Sequence, residues 1–267
     1  MSATGPDSWE DPAGAEAYAE AVHEGSLYRA LAARLVEALA PEGGGRWLDL
    51  ATGSGIVAER LFARLGPAAA IVGADRSRAM LEVARRALPF AEASFVRADP
   101  GALPLAAATF HGAACSAALW HFPALGAAFA ELGRVLVPGG RLAFNAPAAQ
   151  LAGEADLPPA PLQLALAREG LARFGEPPAP GGPVRARSEI LRVARQAGLT
   201  PVHEEWIDVT ATQRELADLL AVPAIAGRMY PAVSAADRAA WIRAAAAAAA
   251  LDETVCVRWW QAVLQRP

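Results

Sequence analysis

Three acidic residues follow or end short apolar runs, where polar side chains could hold a ligand. Asp49 precedes the glycine-containing turn 51–55, Asp75 ends the next apolar run about 20 residues after that turn, and Asp99 ends the third. A glycine turn that opens a helix brings backbone N–H groups close to a ligand. An acid at the end of the second strand can accept hydrogen bonds from ribose hydroxyls. This spacing predicts a site for a ligand that contains a nucleoside.

The glycines of the turn are Gly53 and Gly55. A dinucleotide oxidoreductase would carry G-x-G-x-x-G here, and Ala58 stands at the third glycine position, where alanine is accepted. Asp49 argues against that alternative, because its carboxylate would repel a pyrophosphate and attract a cationic ammonium or sulfonium group. The turn therefore favours a cationic adenosine compound such as S-adenosylmethionine (SAM).

Strands that alternate with helices must position these acids. Five short apolar segments alternate with segments of helical spacing, which indicates a parallel, doubly wound α/β sheet. The predicted strands are 46–50, 70–74, 94–98, 112–116 and 141–145, and the helices between them are 56–65, 77–88 and 124–136. Further helices are predicted at 9–40, 162–173, 188–197, 213–220 and 234–250, and further strands at 201–209 and 254–264.

Composition excludes several classes of function. The formal net charge of −4 argues against a nucleic-acid surface, and no apolar run has the ~20 residues that a membrane span needs. Two cysteines and four scattered histidines predict neither a disulfide framework nor a metal site. The acidic N-terminal residues do not resemble a secretion signal, so we expect a cytoplasmic protein.

Four segments resemble the motifs of class I SAM-dependent methyltransferases. They are WLDLATGSGIVAERL (47–61), IVGADRSRAMLEVARR (71–86), FVRADPGALPL (95–105) and ELGRVLVPGGRLAFNAP (131–147). The D-L-A-T-G-x-G variant is most similar to the ubiquinone/menaquinone-biosynthesis-type (methyltransferase type 11) enzymes and their small-molecule relatives. The resemblance implies a Rossmann-like, doubly wound seven-stranded sheet with an antiparallel last strand and helical cap insertions.

The resemblance also implies a role for individual residues. Near the methionine part of SAM it places Asp49 and the backbone of Ala51, Gly53 and Gly55; near the ribose and adenine, Asp75, Arg76, Met80, Ala98 and Asp99; and near the sulfonium, Ser116 and Ala117. The product would be S-adenosylhomocysteine (SAH), and the partner a small-molecule methyl acceptor. Tyr18 and Tyr28 lie on an N-terminal helix that folds over the cofactor in similar enzymes.

Two positions depart from the family pattern. Phe110 is followed by His111 where the family commonly has aspartate, and Ala51 replaces the first glycine of the turn. The missing acid is usually a structural residue at the entry to the strand, and this subgroup tolerates alanine at the turn. We therefore expect no loss of activity from either change.

Methyl transfer is a displacement at an activated carbon, for which a protein base is optional. His121 is the best candidate for a base, since it follows the fourth strand and a neutral histidine could deprotonate a phenol or a carbon acid. The alternative is that His121 only packs against or caps the next helix.

Other candidates have weaker arguments. Residues that could touch cofactor or acceptor, but more simply serve packing or solvation, are His23, His203, Met229, Tyr230, Trp241, Trp259, Trp260, Arg185 and Arg187. The acceptor itself has no motif. We expect carbon or oxygen methylation of a small apolar or aromatic metabolite; the alternatives are N-methylation, another SAM-dependent reaction, or SAM binding without catalysis. The sequence leaves homo-oligomerisation open.

The predicted organisation has four parts. Residues 1–45 form a helical segment that covers the cofactor site, and residues 46–147 form the SAM-binding core. A proline- and glycine-rich cap occupies 148–187. Residues 188–267 complete the core and contain a helical insertion at 212–252.

Overall fold

The computed structural model describes residues 8–88, 93–154, 157–180, 182 and 184–267. The seven strands are β1 (Gly45–Leu50), β2 (Ala69–Asp75), β3 (Ala93–Arg97), β4 (Phe110–Cys115), β5 (Leu136–Pro147), β6 (Thr200–Thr212) and β7 (Thr254–Gln265). They form one sheet in the order β3-β2-β1-β4-β5-β7-β6. β7 is antiparallel to both of its neighbours, while β1 to β5 pair in parallel. The predicted fold class is confirmed.

Helices cover both faces of the sheet and one end of it. They are α1 (Pro12–Glu24), α2 (Ser26–Leu39), α3 (Ile56–Leu65), α4 (Arg78–Ala87), α5 (Leu125–Val135), α6 (Pro161–Phe174), α7 (Arg187–Gln196), α8 (Gln213–Ala221), α9 (Pro223–Met229) and α10 (Ala235–Ala247). One core contains α5 and α7, with Phe129, Phe144 and Trp260 at its centre. The opposite core contains α2 and α3.

The N-terminal segment forms two helices, where the sequence predicts one from 9 to 40. Gly25 separates α1 from α2 because its backbone is extended, with φ −74° and ψ 153°. The Asp11 side chain accepts a hydrogen bond from the Gly14 N–H (2.7 Å) and so caps the start of α1. The break lets α1 contact α4 while α2 packs on the sheet next to α3.

The fifth strand begins earlier than predicted. It pairs with β4 from Leu136, opposite Phe110, and an irregularity in the register follows before Arg141 pairs with Gly112. The prediction of 141–145 was wrong at this end, because a β-bulge accommodates the proline and glycines that we took as a turn. His111, at the start of β4, accepts a hydrogen bond from the Arg46 N–H through Nδ1 (3.2 Å).

The segments after β5 and β6 pack against each other. Helix α6 contacts α10 and α8, and together they bury their own apolar cluster, which includes Leu162, Leu166, Trp241 and Ile242. The short helix α9 belongs to this cluster and was not predicted from the sequence. The result is a helical layer at the carboxyl ends of the strands, above the predicted site.

Candidate active site

The turn after β1 is fixed by hydrogen bonds that two acids accept from it. Asp49 is only 1% exposed, and its Oδ2 accepts hydrogen bonds from the Thr52 hydroxyl (2.6 Å) and the Ala58 N–H (3.0 Å). Asp75 Oδ2 accepts from the Gly53 N–H (3.0 Å), and Oδ1 from the Ser77 N–H (2.9 Å). The two predicted motifs are therefore in direct contact.

Burial raises the pKa of both acids. Desolvation raises the pKa of Asp49 to about 7, despite the hydrogen bonds from Thr52 and Ala58 that lower it, and the nearby Asp75 carboxylate raises it further. Desolvation also raises the pKa of Asp75, against the hydrogen bonds that it accepts from the backbone. Because each carboxylate oxygen has about two lone-pair sites, both oxygens of Asp75 can still accept a hydroxyl hydrogen bond.

The turn itself has an unusual backbone. Ala51 (φ 58°), Gly53 (φ 52°) and Gly55 (φ 90°) all have left-handed conformations, and alanine adopts this region only at a cost in energy. A Cβ atom on Gly53 would lie 3.5 Å from the Tyr18 ring. Glycine at this position thus keeps open a narrow gap between the turn and α1.

A cavity of about 510 Å³ lies against this turn and extends beneath the helical layer. The residues predicted near the cofactor or as a base that line it are Tyr18, Tyr28, Ala51, Gly53, Asp75, Arg76, Met80, Ala98, Ser116, Ala117 and His121. Asp49 lies beneath the turn and does not line the cavity. Gly55 is packed against α4, where a Cβ atom would meet Leu88 at 2.9 Å.

Asp99 also lies away from the cavity wall. Its side chain is exposed, and Oδ1 accepts a hydrogen bond from the Gly101 N–H (2.8 Å), while the neighbouring Ala98 and Pro100 do line the cavity. Asp99 therefore stabilises the turn after β3 through this hydrogen bond. Its contact with an adenine amino group stays a prediction.

Six aromatic rings enclose part of the cavity in a closed circuit, which we call the aromatic circuit. The centroid distances between consecutive rings are 5.3 Å for Trp9–Tyr18, 6.2 Å for Tyr18–Tyr28, 6.4 Å for Tyr28–Trp259, 5.9 Å for Trp259–Trp120, 5.2 Å for Trp120–His121 and 5.9 Å for His121–Trp9. All six residues line the cavity. Edge-to-face pairs at such distances fix the rings relative to one another.

His121 does not have the hydrogen bonding or the pKa of the general base that the sequence suggests. Its Nδ1 is in hydrogen-bond contact with the Arg228 guanidinium from α9, which can only donate. Nδ1 must therefore be the acceptor, so the neutral ring carries its proton on Nε2. Desolvation, and then the charge of Arg228, lower the pKa of His121 to about 3. A histidine with this tautomer and pKa is a hydrogen-bond donor and a weak base at neutral pH.

The loop after β4 is held by an asparagine that the sequence analysis did not identify. Asn145 is completely buried on β5, and its Oδ1 accepts a hydrogen bond from the Ala117 N–H (2.7 Å). Ser116 contacts the same amide through its hydroxyl. Ala117 has φ 51°, so this hydrogen bond stabilises a strained turn beside the cavity.

Most of the weaker candidates have structural partners. The Trp241 indole donates to the Leu166 carbonyl (2.9 Å), and the Tyr230 hydroxyl to the Glu176 carbonyl (2.7 Å). His203 pairs with Glu205 on β6. Arg185 donates to the Phe122 carbonyl, and Arg187 pairs with Glu154 and Glu204. Trp260 lies in the core, whereas Met229 lines the cavity. His23 Nε2 is buried without a partner among the described residues.

Sequence reasoning missed Trp9, Trp120 and Arg228 as parts of the site, and gave Trp259 only as a weaker candidate. The two tryptophans at 120 and 259 carried a signal, since Trp120 precedes His121 and a strand must place Trp259 and Trp260 on opposite faces. Arg228 carried none. It meets His121 across 107 positions of sequence, which no local pattern can reveal.

The residues around the turn fit a SAM-sized adenosine ligand. The gap between Gly53 and Tyr18 is one that a Cβ atom would fill. In the same turn, Ser54 Oγ is buried without a partner among the described residues. No group of three or more His, Cys, Asp or Glu side chains could hold a metal ion in the described part of the chain. Among the same residues, no helix is long and apolar enough to cross a membrane.

Comparison with known proteins agrees with this geometry. Residues 48–144 match the family model described as a methyltransferase domain. A demethylmenaquinone methyltransferase from Thermus thermophilus is 42% identical over 99 residues, which are 36% of this chain and 44% of the relative. The chain thus spans less than half the length of such curated relatives.

Two further comparisons extend beyond the core. The O-methyltransferase cnsE from Penicillium expansum is 32% identical over 206 residues, which are 76% of this chain and 65% of that protein. The structure of a geranyl diphosphate C-methyltransferase from Streptomyces coelicolor A3(2) superposes with a TM-score of 0.55 at 16% identity, covering 90% of this chain and 77% of the other. Residues 48–144 therefore form a methyltransferase domain, and the chain has the fold of the class I SAM-dependent methyltransferases.

Proposed function

We propose that the protein transfers a methyl group from SAM to a carbon or oxygen atom of a small apolar or aromatic metabolite and releases SAH. The observation that carries this proposal is the hydrogen bond between the Gly53 N–H and the Asp75 carboxylate, beside a cavity enclosed by the aromatic circuit. The match of residues 48–144 to a methyltransferase domain supports the same reaction.

Different residues of the chain bind different parts of the cofactor. Asp75 accepts hydrogen bonds from the ribose hydroxyls, and Met80 and Ala98 line the apolar part of the cavity next to it. Tyr18 covers the turn at Gly53. Asp49 holds the turn from below by its hydrogen bonds to Thr52 and Ala58, and contacts the cofactor only through the backbone that it fixes.

When bound, the cofactor supplies a methyl carbon that is already activated by a positive sulfur. It would be held beside Asp75 and the turn at Gly53, and transfer of the methyl group to the acceptor would leave the electron pair of the carbon–sulfur bond on sulfur. The acceptor releases one proton to solvent before or after this step. The protein contributes alignment and the exclusion of water, because the cavity walls are mainly apolar.

Binding of the cofactor is tested by calorimetry with SAM and SAH. Asp75→Ala removes hydrogen bonds to a charged group that are worth about 1.5–3 kcal/mol, so SAH affinity should fall about 10- to 100-fold. The surface variant Asp252→Ala is the control and should bind like the wild type. Binding of NAD in place of SAM and SAH would refute the proposal.

The acceptor and the kind of methylation are tested by mass spectrometry of candidate metabolites incubated with the protein and SAM. A gain of one CH₂ on a carbon or oxygen is the expected result. A gain on nitrogen, or cofactor binding without transfer to any acceptor, would favour the alternatives that the sequence left open. The cytoplasmic location and the four-part organisation stay predictions, and the sequence leaves homo-oligomerisation open.

A further inference from the structure

The carboxylate of Glu215 joins two parts of the chain that are far apart in sequence. In the first turn of α8 it forms a capping box with Thr212, whose N–H donates to Glu215 Oε2 (2.7 Å) and whose Oγ1 accepts from the Glu215 N–H (3.1 Å). The other oxygen, Oε1, accepts from the N–H of Ser26, the first residue of α2, 189 positions earlier. The Ser26 hydroxyl also donates to Oε2 (3.3 Å). One side chain thus caps the starts of two helices.

The contact with Ser26 lies at the break between α1 and α2. Gly25 is the single residue between these helices, so its two backbone dihedral angles largely set their relative orientation. Gly25 is buried, and a Cβ atom on it would lie 2.8 Å from the Ala21 carbonyl oxygen and 3.2 Å from Glu215 Oε1. The break requires glycine in part because Glu215 packs directly against it. Glu215 therefore acts on the joint about which α1 would turn.

Helix α1 covers the side of the cavity where the methyl donor is proposed to bind. Tyr18 lies over the turn at Gly53. The buried side chains that α1 contributes to its packing on α4 are alanines, and the ion pair Glu16–Arg86 between the two helices is exposed. Small side chains bury little apolar area, and exposed ion pairs contribute little stability. The orientation of α1 therefore depends strongly on its connection to α2.

Helix α8 belongs to the opposite, acceptor side of the cavity. Its side chains that line the cavity are Leu216, Leu219 and Leu220. Two positions before Glu215, the completely buried Gln213 accepts a hydrogen bond from the Leu162 N–H at the start of α6 (2.7 Å) and donates one to the Ala250 carbonyl after α10 (2.9 Å). The turn of α8 that carries Glu215 is therefore also the turn that ties the helical layer together.

Resting on the methyltransferase function proposed above, we propose that Glu215 is a positioning residue that couples the acceptor side of the cavity to the helix over the methyl donor. A ligand that holds α8 in place also holds Gly25 and α1 in place, and so slows the release of SAM or SAH. Because coupling between two sites is reciprocal, the bound donor in turn favours the arrangement of α8 that the acceptor needs.

The charge of Glu215 suits this role. Desolvation alone would raise the pKa of Glu215, but the hydrogen bonds from Ser26 and Thr212 outweigh it and lower the pKa. The side chain is therefore a carboxylate at neutral pH, and hydrogen bonds to a charged acceptor are about twice as strong as neutral ones.

Ser26→Pro breaks the link and leaves the capping box of α8 intact. Proline is favoured at the first position of a helix, and Gly25 already has the extended backbone that precedes proline. Free energies of unfolding should therefore change little. SAH should leave the full chain about 5- to 10-fold faster, at the lower end of the range for coupled sites. Stopped-flow fluorescence measures this release, and hydrogen exchange of residues 12–24, without and with SAH, should show faster opening of α1.

Two further variants act on Glu215 and its surroundings. Glu215→Gln keeps one carbonyl oxygen, so it can accept from only one of the two helix starts and should speed SAH release by a smaller factor. Added to Ser26→Pro, it should have no further effect on release, because both changes break the same link. Asp218→Asn, on the exposed face of α8, makes the same change in net charge and should behave like the wild type.

Gln213→Met tests the connection to the helical layer. Methionine is similar in size but cannot replace the hydrogen bonds to α6 and α10. It should speed exchange in α1 and release of SAH in the wild-type background and not in the Ser26→Pro background. If Gln213→Met does not fold, as judged by urea unfolding, the comparison of Ser26→Pro, Glu215→Gln and their combination still decides.

Two results would overturn the proposal: α1 exchange that is unchanged in Ser26→Pro, or effects of Ser26→Pro and Glu215→Gln on SAH release that add independently. A wild-type chain that binds no SAH would instead refute the proposed methyltransferase function. Hydrogen exchange of the ligand-free chain would then still test the link between Glu215 and α1, so the two failures are distinguishable.

Discussion

The backbone N–H of Gly53 donates to the carboxylate of Asp75 at 3.0 Å, so the turn after β1 and the acid that ends β2 form a single unit. This contact joins two features that sequence spacing could only place at the same edge of the sheet. The position of Asp75 depends on the left-handed backbone at Gly53, and the reverse also holds.

Gly53→Ala tests that dependence. With φ at 52°, alanine should cost about 1–2 kcal/mol in the free energy of unfolding, and its Cβ would enter the gap next to Tyr18. We expect SAH affinity to fall at least about tenfold, since the loss of one good hydrogen bond is of this size. Urea unfolding and calorimetry measure the two effects.

Gly139→Ala is the matched control. Gly139 has φ 80° and nothing within 4 Å of an added Cβ, so the backbone cost is similar but lies far from the cavity. It should lose stability and keep SAH affinity. Equal losses of SAH affinity in the two variants would show that general destabilisation, and not the gap at Tyr18, controls binding.

Asp49→Asn should change how stability depends on pH. The pKa of Asp49 is about 7 in the fold and 3.8 in the unfolded chain, so the folded protein binds more protons between these values. The stabilisation that results from this raised pKa is fully present below pH 4 and is lost as the pH rises through 7. Asparagine can still accept hydrogen bonds from Thr52 and Ala58 and does not ionise. The variant should therefore gain stability relative to the wild type as pH increases from 4 to 8.

The measurement is the difference in free energy of unfolding between variant and wild type at a series of pH values. If this difference did not change with pH, the pKa of Asp49 would be the same in the folded protein as in the unfolded chain. The comparison must be a difference, because His121 acts in the opposite direction over part of the same range.

His121→Gln should remove a loss of stability in acid. The pKa of His121 is about 3 in the fold and 6.5 when unfolded, so the unfolded chain binds the extra proton between these values. The contribution of the neutral ring is present above pH 6.5 and is lost as pH falls towards 3. As the pH falls from 6.5 towards 3, the free energy of unfolding of the variant should therefore rise relative to that of the wild type. The turnover of the wild type should show no inflection near pH 6.5 from this residue. Such an inflection, absent in His121→Gln, would restore His121 as a base.

Ala51→Gly should stabilise the protein. Alanine pays for its left-handed backbone at φ 58°, and glycine does not, although glycine loses more entropy on folding. We expect a net gain of up to about 1 kcal/mol in thermal or urea unfolding. Ala108, exposed and at φ 49°, provides a second site for comparison. If Ala51→Gly lost stability while Ala108→Gly gained it, the Ala51 methyl group would make a contact that the turn requires.

The sequence predicted the sheet well and placed Asp75 at the end of β2, close to the glycine turn, because both features depend on local signals. Apolar runs that end in Asp75 or enter a glycine turn are visible at short range, and parallel strands bring such ends together. The start of β5 was misjudged at Leu136, since a bulge can absorb a turn-like Pro-Gly-Gly within a strand.

The acceptor side of the site could not be predicted in the same way. The aromatic circuit joins residues from Trp9 to Trp259, and the Arg228–His121 contact joins the helical insertion at 212–252 to the loop after β4. Such contacts depend on how the helical layer packs over the sheet. The sequence predicted Asp49 beside the methionine part of SAM, whereas its burial beneath the turn follows from tertiary packing and not from its spacing.

The place of β7 in the sheet has a consequence for synthesis of the protein. Because β7 lies between β5 and β6 and carries Trp259, the wall that faces the acceptor closes only after the last strand has inserted between two earlier ones. The turn at Gly53 and its partner Asp75 are translated long before. On the ribosome, the turn at Gly53 with its partner Asp75 can therefore form first, and the cavity wall that contains Trp259 is completed only once translation has passed β7.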